Sequence, residues 1–208
     1  MSTTFTIIPT KVDSNLTFKN VLELAKHTLE HQLTNLSINL KIELSVNIHG
    51  KGEAYVNDIN LDSRLIWTED EYAWFTVDRS YGGTDAYCRE IEKTLAHDDA
   101  YVEETLGEVL VTPQLKKQIL DCKYEWWFRR SAGQSPLINL TYGHLAAAVA
   151  KLTEGYIYSD DGAWHDIFPA TADQLIEVYF YPDKAKNPAD YDWATTCVEG
   201  LRAEYASK

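Results

Sequence analysis

Cysteine is scarce in this chain: three in 208 residues, at positions 88, 122 and 197, more than thirty residues apart and with no C-x-x-C pair. An odd, scattered set supports neither a disulfide framework nor a structural zinc site, so all three read as buried free thiols. No uninterrupted apolar run approaches the ~20 residues that a membrane helix needs. The opening stretch "MSTTFTIIPTKVDSN" lacks the basic start, apolar segment and small-residue cleavage site of a secretory leader. The expectation is therefore a cytoplasmic protein, on which the sequons at Asn15, Asn35 and Asn139 are chance matches. Also missing are the G-x-S-x-G elbow, the G-x-x-x-x-G-K-[ST] loop and G-x-G-x-x-G. No nucleophile, phosphate or cofactor motif identifies an activity.

What is present is acidity, unevenly spread. The net charge is −13, made up of +1 over residues 1–52, −11 over 53–108, +3 over 109–150 and −6 over 151–208. A field of that sign repels nucleic acid and anionic membrane and steers a basic partner. With 45% apolar residues, 6 Trp and 13 Tyr, the chain has the composition of an ordinary globular protein, and its length suits one domain over 1–208.

The patterning gives the class. "TFTIIP" (4–9) reads as a strand. Phe18, Val21, Leu22, Ala25, Leu29 and Leu33 form one helical face over 17–34. Alternation of Leu36, Ile38, Leu40, Ile42, Leu44, Val46 and Ile48 with polar residues predicts a long half-buried strand, and "EAYVNDINLD" its hairpin partner. "YAWFTVDR" (72–79) is another strand, after which Thr84 is expected to start a helix through Tyr87, Ile91 and Leu95. A short helix is expected after "HDDAY". Thr112-Pro113 caps a helix whose stripe of Leu115, Ile119, Cys122 and Trp126 runs toward Gly133. Thr141 opens the next helix, which Gly155 stops. Thr171 and Gln174 have capping-box spacing, and Pro188 begins a last helix with Tyr191, Ala194, Val198, Leu201 and Tyr205 inside. Strands followed mostly by helices point to α+β: an antiparallel or mixed sheet from the N-terminal half, packed against several helices, with a small hairpin near 156–166.

Ionisable groups concentrate in "YSDDGAWHD" (158–166), which holds Asp160, Asp161, His165 and Asp166. Asp161-Gly162 is the dipeptide that favours a two-residue hairpin turn, which leaves Trp164 as an anchor on the returning strand. The stretch lacks the alternating oxygen ligands of a calcium loop. His27 and His31 sit four apart without an H-E-x-x-H frame and read as a solvated pair. In "KYEWWFRR" (123–130) the tryptophans fall near the core stripe of the capped helix, so the reading is packing with a surface arginine pair rather than a nucleic-acid contact. The remaining acidic clusters are Glu69, Asp70 and Glu71; Asp98 and Asp99; Glu103 and Glu104; and Asp160 and Asp161. Interspersed with Tyr81, Tyr101 and Trp164, they have the ingredients of an interface for a basic protein: aromatic anchors and steering carboxylates.

The segment "LTEGYIYSDDGAWHDIFPATADQLIEVYF" (152–180) resembles a pattern of small bacterial toxin-immunity proteins, in which a Gly-x-Ile-x-Ser-x-Asp-Gly-Ala-Trp hairpin is followed by Phe-Pro and a helix. The resemblance implies an intracellular antidote that occludes a cognate toxin. It transfers no catalytic, metal or cofactor-binding residue. The expected function is thus a non-enzymatic acidic binding protein whose partner is a basic toxin domain, a nuclease being the type that suits the −11 segment. Two readings stand beside it: a hydrolase or metal-dependent enzyme using Asp160, Asp161, His165 and His144, and a structural component of a larger assembly.

Overall fold

The computed structural model describes residues 3–50, 55–56, 59–91, 101–107, 112–159 and 167–205. Its strands are β1 (Thr3–Ile8), β2 (Leu44–His49), β3 (Tyr55–Val56), β4 (Tyr72–Val77), β5 (Thr84–Glu90), β6 (Tyr124–Arg130) and β7 (Tyr156–Tyr158). The helices are α1 (Phe18–Asn35), α2 (Tyr101–Leu106), α3 (Pro113–Asp121), α4 (Pro136–Leu152), α5 (Ala172–Val178) and α6 (Pro188–Tyr205), with a 3-10 turn at Pro182–Lys184. The strands form one sheet in the order β3-β2-β4-β5-β6-β1-β7, antiparallel at every pairing. This is the α+β class expected, with β6 and β7 of the second half completing the sheet.

Alternation along each strand sends one set of side chains inward. Phe5, Ile7, Val46, Ile48, Ala73, Phe75, Ala86, Trp126 and Phe128 meet α1 and α4 in the main core. Helix α4 is apolar all round and every residue from 137 to 150 is buried, as a helix enclosed by neighbours requires. Ile8, next to Ile7 but facing the other way, joins Ile91, Leu106, Ile119 and Cys122 in a smaller cluster under α2 and α3. Among the described residues, helices therefore cover one face of the sheet and the β1 end of the other.

Several boundaries differ from the sequence expectation. The burial alternation predicted for 36–48 holds, but only 44–49 enters a ladder; Leu36, at the cap of α1, and Ile38, Leu40 and Ile42, after it, pack into the core outside any strand. The helix expected from Thr84 is strand β5: Thr84, Ala86 and Cys88 face in, and backbone pairing to β4 and β6 on either side outweighs the spacing of Tyr87 and Ile91. The helix capped by Thr112 stops at Asp121, Lys123 turns the chain at φ 70°, and β6 follows, so Trp126 is a strand residue. Helix α4 starts six residues before Thr141, at Ser135, which accepts from the Ile138 amide, with Pro136 at the first helical position. Tyr191 is half exposed rather than buried. The capping box at Thr171 and Gln174 forms as expected. Of the hairpin near 156–166, β7 is described and Ile157 bridges Ala170; the Asp161-Gly162 turn lies outside the described residues.

Helices α1 and α4 both end in a Schellman pattern. The Ile38 amide donates to the Leu33 carbonyl and Ser37 to Thr34; Gly155 donates to Ala150 and Glu154 to Lys151. The left-handed positions are Ser37 (φ 62°) and Glu154 (φ 49°), not Gly155. Gly155 serves close approach instead, since a Cβ there would lie 2.5 Å from the Ile8 carbonyl oxygen. Because Ser37 is exposed and bears the left-handed penalty, Ser37→Gly is expected to raise stability by about 1 kcal/mol. A urea midpoint unchanged or lowered relative to the parent would contradict this.

Candidate functional site

Among the described residues no helix lies over the sheet's second face across β2, β4, β5 and β6, and exposed chemistry gathers there. Register places Asn47, Trp74, Asp85 and Arg129 in one row and His49, Tyr72, Tyr87 and Trp127 in the next. The second row spans ~14 Å, three strand spacings. His49 stacks on Tyr72 at 4.7 Å, and Tyr72 lies 6.1 Å from Tyr87. The Arg89 guanidinium sits 3.8 Å above the Trp127 ring. Trp74, Tyr72, Tyr87 and Trp127 are all partly exposed, on a part of the sheet over which no described helix lies.

Local structure fixes these side chains. Gly83, in the turn between β4 and β5, leaves room for the Trp74 ring; a Cβ there would meet the Phe75 carbonyl at 2.4 Å and the indole at 2.8 Å. Asp85, with a side chain only 5% exposed, accepts from Arg129 Nε at 2.8 Å and from the Tyr87 hydroxyl at 3.0 Å. Burial, then the neighbouring Asp85 charge, raises the Tyr87 phenol above its ordinary pKa, so it stays a neutral donor. The Trp127 indole N–H is buried without an acceptor among the described residues. The arrangement can stack and hydrogen-bond.

At the Tyr72 end, on the side of the sheet that carries the inward-facing Cys88 and Tyr124 and not on that of the rings, lies an acidic lip. Glu69 and Asp70 precede β4, Glu90 ends β5, and the three border a cleft of about 500 Å³ walled by Trp67 and Tyr124. Glu69 Oε1 accepts from the Glu90 amide at 3.4 Å. Glu71 points the other way in function: its Oε2 accepts from the Thr68 amide and hydroxyl at 3.1 and 2.8 Å, closing the turn. Cys88 lies at the bottom of the cleft, and burial pushes its thiol up to about 12, with Glu125, Glu69 and Glu90 adding to the rise. Cys88, like Cys122 and Cys197, is a buried free thiol, as expected from sequence.

Of the other anticipated contact residues, Asp98, Asp99, Asp160, Asp161 and Trp164, with His165 and Asp166, lie outside the described residues. Glu104 is exposed on α2, in the same helix as Glu103. His27 and His31 are exposed, and His31 meets only Asn35 across one helical turn. His144 is in the core, bonded to Thr28 and Gln32, and faces no surface site. Among the described residues no group of three or more His, Cys, Asp or Glu could hold a metal ion, and no helix is long and apolar enough to cross a membrane.

The sequence reading of "KYEWWFRR" needs correction. Trp126 and Phe128 are core, Trp127 and Arg129 face outward, and Arg130 is buried, donating to Asn139 Oδ1 at 2.9 Å and stacking 4.8 Å from Trp193. The outward set was legible in the alternate residues of "YAWFTV", "TDAYCRE" and "YEWWFRR", once all three are strands. Compared with protein-family models, with curated proteins and with solved structures, the chain matches none.

Proposed function

We propose that this chain is a non-enzymatic binding protein that neutralises a basic protein partner by covering it, in the manner of a bacterial immunity protein acting on a toxin domain. The carrying observation is the −11 charge of residues 53–108, the stretch that supplies β4, β5, the Glu69–Asp70 lip and the partly exposed Tyr72, Trp74 and Tyr87. Carboxylates at the edge of an interface raise the association rate, and aromatic and arginine side chains at its centre supply most of the affinity. The likeness of 152–180 to toxin-immunity proteins supports the same reading, and occlusion needs no catalytic group.

Co-expression with the toxin gene adjacent to this one tests it. The chain should restore growth and co-purify with the toxin; absence of both protection and complex would end the proposal. In the complex, Glu69→Lys with Asp70→Lys is expected to slow association by about tenfold at low salt and flatten its salt dependence, with a smaller effect on dissociation. Glu71 is left intact in that variant because it closes the turn. An association rate unchanged in stopped-flow measurements would remove the lip from the interface.

A further inference from the structure

We infer that the cleft behind Glu69 and Asp70 takes up one arginine or lysine side chain of a basic protein and so anchors that partner; the inference rests on the basic partner of the preceding section. The cleft, about 500 Å³, is bordered by Glu69, Asp70 and Glu90 and walled by Trp67 and Tyr124, with Cys88 at its floor. Apolar and aromatic walls suit the carbon stem of a basic residue, and aromatic rings attract the cation that the stem carries. The negative charge reaches the floor, where Glu125, Glu69 and Glu90 add to the effect of burial in holding the Cys88 thiol neutral.

Charge separates this cleft from others on the surface. Among the described residues no lysine or arginine lines it. Three other clefts contain cations of their own: Lys19 and Lys26 facing Asp62 and Glu43 beside α1, Lys151 facing Asp173 near α5, and Arg202 on the Leu36 carbonyl beside α6. Those clefts carry both signs. The described residues of this one carry a single sign, which an entering cation balances. Trp67 supplies an independent observation. Its side chain is buried, 7% exposed, and its indole N–H has no acceptor among the described residues. A buried donor left unmade is costly, and an oxygen acceptor arriving at this wall would satisfy it. A metal ion or a simple amine brings no such acceptor, whereas a polypeptide brings a main-chain carbonyl with every basic side chain. The occupant that meets both demands is a basic residue within a peptide chain.

The test follows the Trp67 indole N–H of the full chain by heteronuclear NMR, its peak assigned with Trp67→Phe, as acetyl-Gly-Arg-Gly-amide is added. The peak should move and saturate, and the same peptide with citrulline for arginine, neutral and of nearly the same shape, should bind at least about tenfold more weakly. No movement, or an equal response to the two peptides, would overturn the inference. Movement confined to the indoles of Trp74 or Trp127 would overturn it too, by placing the peptide on the other side of the sheet. Glu69→Gln with Asp70→Asn and Glu90→Gln removes the charge and keeps an acceptor for the residue-90 amide. That variant should lose about tenfold in affinity for the arginine peptide and keep its affinity for the citrulline peptide, a pattern that loss of fold would not give. Equal affinity of variant and parent for the toxin sinks the cleft and leaves neutralisation standing. Charge-dependent peptide binding by a parent chain that gives no protection does the reverse.

Discussion

Replacing Gly143 by alanine is expected to destabilise the protein by about 3 kcal/mol or more, although alanine is the better helix former by about 1 kcal/mol. Gly143 lies inside α4, and a Cβ built there falls 2.0 Å from Cε1 and 2.5 Å from Cζ of Tyr179. The ring has nowhere to go. Its hydroxyl donates to the Asn139 carbonyl at 2.7 Å, Phe180 packs edge-on at 4.7 Å, Phe5 lies at 5.9 Å, and its own carbonyl accepts from Gln32 Nε2. Gly200 in α6 is the internal comparison: its added Cβ would approach only the Pro136 ring edge, at 3.2 Å, so Gly200→Ala should stay within about 1 kcal/mol of the parent. Urea unfolding of both variants decides the matter. Equal midpoints for the two would mean that Tyr179 is not pinned as described.

The second large effect is acid destabilisation centred on His144. The imidazole is fully enclosed between α1 and α4, and burial lowers its pKa from 6.5 to about 3. Gln32 directs its amide nitrogen to the Tyr179 carbonyl, so its Oε1 faces His144 Nε2 at 2.5 Å and that nitrogen carries the proton. Nδ1 then accepts from the Thr28 hydroxyl at 2.9 Å, which satisfies a neutral ring completely. In the unfolded chain the same histidine takes up a proton as pH falls through 6.5; in the folded protein it does not until about 3. Between those values the unfolded state binds one proton more, and folding stability falls by about 1.4 kcal/mol per pH unit. His144→Gln removes the titration and keeps a donor and an acceptor. It should be less stable than the parent at neutral pH and gain on it steadily as pH drops from 6.5 toward 4.5, a range in which exposed carboxylates contribute little. Parallel stability curves for parent and variant would refute the assignment.

Much of this architecture is legible residue by residue. The Thr171-Gln174 box, Thr112-Pro113 and the α1 stripe each rest on local chemistry that no tertiary contact overrides. The alternation from Leu36 to Ile48 reports burial correctly even where no ladder forms, because period two describes the direction of side chains and not the presence of a partner strand. Short apolar runs fail for a different reason. Cys122 and Trp126 are four apart, as in a helix, and the left-handed Lys123 between them carries no glycine to announce it. Thr141 looks like a cap but donates to the Leu137 carbonyl in mid-helix, the cap being Ser135. At the candidate site, the pairing of β4, β5 and β6 gave the row of rings. That row joins residues 72, 87 and 127, and no local pattern ties positions so far apart.

Strand β1 carries a consequence of timing. It is held on one side by β6, Thr3 opposite Arg130, and on the other by β7, Thr6 opposite Tyr158. Both ladders close loops of well over a hundred residues, the kind of contact that slows folding because its entropic cost precedes its reward. On the ribosome the first strand emerges with neither neighbour yet made, and its apolar Phe5 and Ile7 wait for α4 and β6 before they are covered. The sheet therefore closes around β1 only after β6 and β7 have both been made.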